Sequence, residues 1–433
     1  MVKWIKLIAI SWLFFLVSFY WGVYVYETKR WPYPIIQEIK RFVAGHEVEK
    51  TSSAQKMLND HGAKPFRHLV SENVKTPVSG RHRPLRGLPL KPRRQNPMIF
   101  ISEDAPKGYR VIYGVFDFIE TLCGAIMLDD KGNVAHVWEV SQKDVNWKHR
   151  PDTNIYPHGF EIAPDGCILV DYDYGSSLTK YDYCNRIVWR LKGEFHHSID
   201  FDGESHFWAL RHPGEAMVRI DYRSGETLKN FNILDVVNTN LDMDIFGICQ
   251  GGRLVTGRDD AFHSNDVEAL PVDLAKYYPS FEVGDILVSL RSVNLIFVMN
   301  PETLKVKWWR QGLTRRQHDP DWNAKGTITV FNNNMHREYS NILEIDPVTM
   351  ESKVLVDGRK YDFYSSARGK HQFLPGGGVL ITSTLQGWVF ETDSDGNVVF
   401  EFINTYEDGE NLVVSEARFL PLDFFEELPE CDS

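Results

Sequence analysis

Little in this chain of 433 residues points to a cofactor or a resident metal. No P-loop and no G-x-G-x-x-G stands at a strand-to-helix turn, so the backbone cradle that nucleotide phosphates need has no support. No G-x-S-x-G elbow occurs, which removes the commonest hydrolase nucleophile. H-E-x-x-H is absent, and so is any alternating carboxylate pattern, which argues against a catalytic metal. Asp171 with Asp173, or Asp319 with Asp321, could hold calcium, but acids beside turns more often accept backbone N–H bonds. The five cysteines (Cys123, Cys167, Cys184, Cys249, Cys431) show no C-x-x-C and no metal-ligand spacing. Cys167 and Cys184 fall on neighbouring expected strands and could bridge in an oxidising compartment, a pairing that sequence leaves open.

Positive charge is scarce where a nucleic-acid binder would need it. The chain carries −11 overall, but residues 1–60 hold +3 and residues 61–97 hold +8, which leaves −22 on residues 98–433. An acidic globular part excludes phosphate-backbone recognition, and no nucleic-acid partner is expected. The basic, proline-rich stretch reads either as a solvated linker or as a strap on anionic lipid headgroups.

Charge is also missing from Leu7 to Tyr26, twenty residues that suffice to cross about 30 Å of hydrocarbon as a helix. Trp4, Tyr20, Trp21, Tyr24 and Tyr26 lie toward the ends of that run, where amphipathic rings favour headgroups. The run is long for a cleaved signal peptide and lacks an A-x-A-like exit, so an uncleaved single-pass anchor over 1–30 is the preferred reading. Lysines and arginines flank it on both sides, and the charge bias barely decides orientation. Residues 31–97 then read as a juxtamembrane helix (Ile35–Leu58) followed by the basic linker.

What the chain has in abundance is one repeated phrase: an apolar strand, a polar turn, a second apolar strand. It appears as AIMLDDKGNVAHVW from Ala125, LTKYDYCNRIVWRL from Leu178 and MVRIDYRSGETLKNF from Met217. It returns as LIFVMNPETLKVKWW from Leu295, ILEIDPVTMESKVL from Ile342 and WVFETDSDGNVVFEF from Trp388. A hairpin recurring at roughly forty to eighty residues is a propeller-blade signature. A second phrase alternates with it: a histidine, a strand and a Gly turn, from His158, His197, His318 and His371, with a degenerate copy at His263. Four strands per unit in six units predict an all-β, six-bladed propeller over 98–422, with an N-terminal transmembrane helix. The MIFI strand at Met98 and the EARFLPL segment are expected to complete one blade together. Residues 423–433 form an acidic tail.

Equivalent positions in successive blades are related by rotation about the central channel, so five histidines in register should converge on one end of it. Any one of them alone more often satisfies a backbone carbonyl; together they suggest a site. Arg291, Arg337 and Arg368 accompany them, and guanidinium forks suit tetrahedral oxyanions such as sulfate or phosphate esters. The alternative for Arg291 and Arg368 is pairing with acids of the propeller.

The runs WWRQG…RRQHDPDWNAKGTITVFNNN and AFHSNDVEAL…GDILVSLRSVNLIFVMN, with SSARGKHQFLPGGGVLITST, resemble the arylsulfotransferase family over roughly residues 100–422. That resemblance implies an exported six-bladed propeller that moves a sulfuryl group from an aryl sulfate to a phenol, through a sulfohistidine and without a nucleotide or other cofactor. By motif, His263, His318 and Arg337 are carried over as catalytic, with His371 as the nucleophile. His158, His197, Arg291 and Arg368 are expected to bind substrate. Asn332 departs from the family's usual Asp in its F-D-N element, and the anchor departs from the soluble members. The resemblance favours export, which would put the propeller of the anchored protein on the exported (periplasmic or luminal) side. The readings from other classes are a tethered binding or scaffold propeller that has lost the chemistry, and a simple sulfatase.

Overall fold

The computed structural model describes residues 11–24 and 69–433, apart from 13, 72, 93, 142–155, 174, 204, 248, 251–252, 255–259, 429 and 432–433. The cysteine pair, the repeats and the histidines fall within them; the juxtamembrane helix and the ends of Leu7–Tyr26 lie outside. Residues 14–24 are helical and exposed, in a unit separate from the one that holds 69–433. Among the described residues no helix is long and apolar enough to cross a membrane.

Among the described residues the larger unit holds seven antiparallel sheets: six form blades, and the seventh is a short ribbon of Cys249–Gln250 with Arg253–Leu254. Blade one is Val414–Leu420, Tyr109–Val115, Cys123–Leu128 and Val134–Val140, in that spatial order from the innermost strand outward. Blades two to five start from Tyr156–Ile162, Glu194–Phe201, Ser264–Ala269 and His318–Trp322, each followed outward by its next three strands in sequence. Blade six runs from Lys370–Phe373 through Val379–Ser383 and Trp388–Thr392 to Val398–Ile403. The six innermost strands contact one another in ring order. This is the predicted six-bladed propeller, with one difference in its closure. Met98–Ile101 does not share a blade with the EARFLPL segment: it pairs with Val398–Ile403 as a fifth strand of blade six. The EARFLPL segment is instead the hub strand of blade one, paired with Tyr109–Val115.

The strands form because aromatic and β-branched residues alternate their faces between two neighbouring blades. Leu287, Val298 and Trp308 of blade four pack on Trp322, Ile328, Val330 and Leu343 of blade five, all buried. Each large side chain enclosed in this way contributes about 1.5–3 kcal/mol. The closure seam is polar as well: Arg110 of blade one makes a forked pair with Glu391 of blade six, at 2.8 and 2.7 Å, with both side chains buried.

Residues 69–97 are not a free linker. Leu69 and Leu85 are buried, and Ser71 N donates to Asn411 O at 2.9 Å. Lys75 Nζ reaches Tyr361 O at 3.0 Å and sits over the Trp388 ring, while Arg81 pairs with Glu401 at 3.3 Å. The basic charges are therefore partly consumed on the acidic propeller itself. Cys184 bridges Cys431, not Cys167, which is a free buried thiol. Adjacent strands do not suffice for a bridge, and the tail brings the true partner within a Cα–Cα distance of 5.4 Å.

Candidate functional site

The innermost strands of blades one to five each break register near the channel. The shifts fall at Val414/Glu416, Pro157/Phe160, His196/Ile199, Ser264/Asp266 and His318/Pro320. A bulge adds one residue and re-aims its side chain. Here it leaves His197 and Asp319 in left-handed backbone, at φ 67° and 54°; His263 and Arg368, just ahead of the hub strands of blades four and six, take the same conformation at 54° and 58°. Such conformations cost about 1–3 kcal/mol each for a non-glycine residue, and sites that need directed side chains are where they concentrate. In blade two the bulge residue is Gly159, where a Cβ would lie 2.5 Å from Asp171 Oδ2. Asp171 accepts the Gly159 N–H at 2.8 Å, the backbone role that competed with calcium binding.

Four of the five register histidines meet. The rings of His158 and His197 are 4.0 Å apart, those of His197 and His263 5.1 Å, and those of His197 and His318 6.2 Å. A neighbour that the register did not mark joins them: His196 Nδ1 lies 2.6 Å from His197 Nδ1, so one of the two must be the donor. Burial holds His158, His196, His197 and His318 well below the ordinary histidine range, and nearby cations or imidazoles add to it. Arg368 acts so on His158, and Arg291 on His318. All four rings are therefore neutral at neutral pH.

Their hydrogen bonds separate blade staples from available groups. His158 Nδ1 accepts the His197 N–H at 3.1 Å, which leaves its proton on Nε2. His318 engages both nitrogens: Nε2 accepts the Arg368 N–H at 3.2 Å, and Nδ1 lies 2.7 Å from Asn333 Oδ1. His263 differs. Its Nδ1 lies 2.6 Å from Asp260 Oδ2, and its side chain is 27% exposed. A carboxylate on Nδ1 fixes the tautomer that presents a lone pair on Nε2. Buried Glu215 holds the loop in place by accepting from Phe262 N, Ser264 N and Ser264 Oγ at 2.7–2.9 Å.

Arginines rim the cluster as expected, but not all those expected. Arg291 N donates to His263 O at 3.0 Å, and burial lowers its guanidinium pKa, with Arg316 adding to this. Arg368 lies 3.6 Å over the Tyr156 ring, itself 5.6 Å from His158. Arg337 is exposed, and its neighbours Met335 and His336, rather than Arg337, line the cavity beside Arg291.

His371 belongs to a second layer. Its side chain is fully enclosed, with Nδ1 2.8 Å from Asp319 and 3.5 Å from Asp321, and it makes no ring contact with the other four histidines. Its Nε2 is buried and without a hydrogen-bond partner among the described residues. Lys370 Nζ lies between Asp319 at 2.8 Å and Asp266 at 3.3 Å. Burial works to raise the Asp319 carboxyl, but Lys370 and His371 outweigh it and hold it below the usual carboxylate range. Burial pushes Asp266, Asp321 and Glu268 up, and Glu416 up to about 8. Donor atoms of Asp319, Asp321 and His371 lie within 4.8 Å of one another and could converge on a cation, but the Lys370 ammonium already supplies positive charge there.

Motif reading missed Asp260, Glu215, Tyr156 and Lys370. Only Asp260 left a signal, three residues before His263.

Solved structures share the general architecture at low similarity. A protein of unknown function from Bacteroides caccae is 13% identical, with 73% of this chain and 99% of that one covered and a TM-score of 0.48. A streptogramin B lyase is 9% identical (75% and 98% covered, TM-score 0.42), and a functionally unknown protein from Desulfotomaculum acetoxidans is 11% identical (73% and 95%, 0.41). Likeness at this level decides nothing about chemistry. No curated protein matches. The model of the arylsulfotransferase (ASST) family matches residues 123–405, which takes in the two outer strands of blade one, the four strands of each of blades two to six and every imidazole described above, and the chain belongs to that family.

Proposed function

We propose that the chain is a nucleotide-independent aryl-sulfate sulfotransferase whose nucleophile is His263. The observation that carries this is the Asp260–His263 pair at the mouth of the hub, beside Arg291. Nε2 of His263 attacks the ester sulfur; the N–S bond forms while the S–O bond breaks, and its electron pair leaves on the phenolate. Arg291 and Arg368 place positive charge against the sulfuryl oxygens and the leaving oxygen, where fixed donors are most effective. The N-sulfohistidine keeps its Nδ1 proton toward Asp260, which balances the imidazolium charge. An acceptor phenol then gives up its proton to the first phenolate or to solvent. Its oxygen attacks the sulfur, and the electron pair of the N–S bond returns to Nε2. Two transfers through a covalent nucleophile replace one harder direct exchange.

His371 also carries a carboxylate on Nδ1, but its enclosed ring favours a supporting role beneath the site. His318, with both nitrogens engaged, is read as a blade staple rather than as a catalytic group. Arg337 is read as a surface residue near the mouth.

The anchor remains part of the proposal: residues 1–30 fix the protein to a membrane with the propeller exported. The Cys184–Cys431 bridge supports an oxidising compartment. Purified protein incubated with a chromogenic aryl sulfate should release one equivalent of its phenol without acceptor and turn over repeatedly only when an acceptor phenol is present. Mass mapping of a donor-only reaction should find the sulfuryl group on His263. Repeated turnover without acceptor would make the protein a sulfatase; no release from folded protein would make it a binding propeller; an adduct on His371 would move the nucleophile one layer inward.

A further inference from the structure

Beside His263 lies a cavity of about 450 Å³ lined by Arg291, Asn294, Arg315, Arg316, Met335 and His336. That volume is within the range of small-ligand sites, about 300–1,000 Å³. Its lining holds three guanidiniums and an imidazole but no carboxylate, in a part of the chain that carries −22. Neither Arg315 nor Arg316 forms an ion pair among the described residues. The sulfuryl group at His263 needs one of these cations at most, Arg291, which adjoins it. The other two are left without an assignment.

Their placement is built rather than incidental. Asn332 Oδ1 accepts the Arg315 N–H at 2.8 Å, and Asn294 Oδ1 accepts the Arg316 N–H at 2.9 Å. Gln317 Nε2 donates to Ser289 Oγ and to two backbone carbonyls of blade four, at 3.0–3.3 Å. Arg316 is held in left-handed backbone at φ 58°, and Asn294 at 52°. Three side-chain amides thus fix consecutive residues in a strained loop that holds two guanidiniums beside the Arg291 guanidinium. Like charges so gathered repel one another, and an anion between them relieves that repulsion. The departure at Asn332 has its explanation here as well: an amide donates to Asn341 Oδ1 at 3.0 Å while its oxygen holds Arg315. A carboxylate could do only the second.

We infer that this cavity is a second anion subsite, and that the aryl compound handled at His263 carries, besides its sulfate ester, a further anionic substituent gripped by Arg315 and Arg316. The inference rests on the transferase reading for its chemistry but not for its geometry. A guanidinium–carboxylate contact contributes about 1.5–3 kcal/mol, which is a preference of about tenfold to a hundredfold.

The test compares 3-carboxy-4-nitrophenyl sulfate with 4-nitrophenyl sulfate on the full chain. The parent should favour the carboxylated ester by about tenfold or more in kcat/KM, the lower end of that range. In Arg315→Ala/Arg316→Ala that ratio should collapse toward one, and Arg315→Lys/Arg316→Lys should restore part of it. A parent without preference, or a variant that keeps it, overturns the inference. If the parent turns over neither ester, the transferase reading has failed, and calorimetric binding of the same two esters decides the subsite alone. Tighter binding of the carboxylated ester, lost in the alanine variant, then supports it; equal binding overturns it.

Discussion

Asp260 Oδ2 lies 2.6 Å from His263 Nδ1, three residues away along the chain and within a single loop. The pair orients the one described register imidazole that is both carboxylate-bound and open to solvent. Asp260→Asn should therefore keep the fold and lower kcat by about 10²–10⁴, as loss of an orienting carboxylate does in other histidine sites. His263→Ala should abolish both phenol release and the covalent adduct. Normal turnover in either variant, measured with a chromogenic sulfate and a phenol, would remove His263 from the reaction.

Glu215 has no contact with substrate to lose, yet it accepts three hydrogen bonds from Phe262 and Ser264. Glu215→Ala leaves those donors unmet and should lower the unfolding free energy by about 1–3 kcal/mol. Glu215→Gln, whose one amide oxygen replaces only one of the two accepting carboxylate oxygens, should recover only part of that stability while reducing kcat more than it raises KM. Chemical denaturation and steady-state kinetics on both variants separate the two effects.

The buried imidazoles carry a pH signature. His196 is held neutral, with its folded pKa below the unfolded value near 6.5. Below that pH the unfolded chain takes up a proton that the folded ring refuses, so stability contributed by this group is present at high pH and lost as pH falls. Buried acids such as Glu416 have raised pKa values and act in the opposite sense, so the parent's own profile mixes the two. The difference between parent and His196→Gln isolates the imidazole. The variant should gain relative stability as pH falls below 6.5, by up to about 1.4 kcal/mol per unit. A difference that stays flat from pH 7.5 to 5.5 in denaturation curves would show that the ring is not held neutral.

Arg110 and Glu391 join the first blade to the last. Burial raises the Glu391 carboxyl while Arg110 opposes it. Removing one partner leaves the other charge enclosed, so Glu391→Ala should destabilise the propeller by about 3–5 kcal/mol. Replacing both with apolar residues should cost far less. Thermal unfolding of the single and double variants provides the comparison.

The repeats made the six blades legible because a period-two apolar pattern with polar turns survives in every copy. The closure was harder to read, since MIFI and EARFLPL are both short apolar strands and nothing local says which one faces the hub. The histidine register was legible at four positions and misleading at the fifth. His371 stands one residue into its strand, and Arg368, just ahead of that strand, takes the left-handed backbone that His263 takes just ahead of its own. A bulge counts two residues against one, and sequence marks it only where glycine is required, as at Gly159. Asp260 and Glu215 were hidden for a simpler reason: an acid in an acidic domain is unremarked until its partner is known.

The hub strand of blade one is the last strand among the described residues, Val414–Leu420, laid beside Tyr109–Val115. The ring consequently has no closed form until residues 414–420 have left the ribosome. Every nascent intermediate is an open arc, with the first sheet's inner edge unpaired and exposed to whatever else could add a strand there. A stop codon placed before residue 414 would therefore yield sticky, aggregating arcs rather than a smaller version of the same molecule.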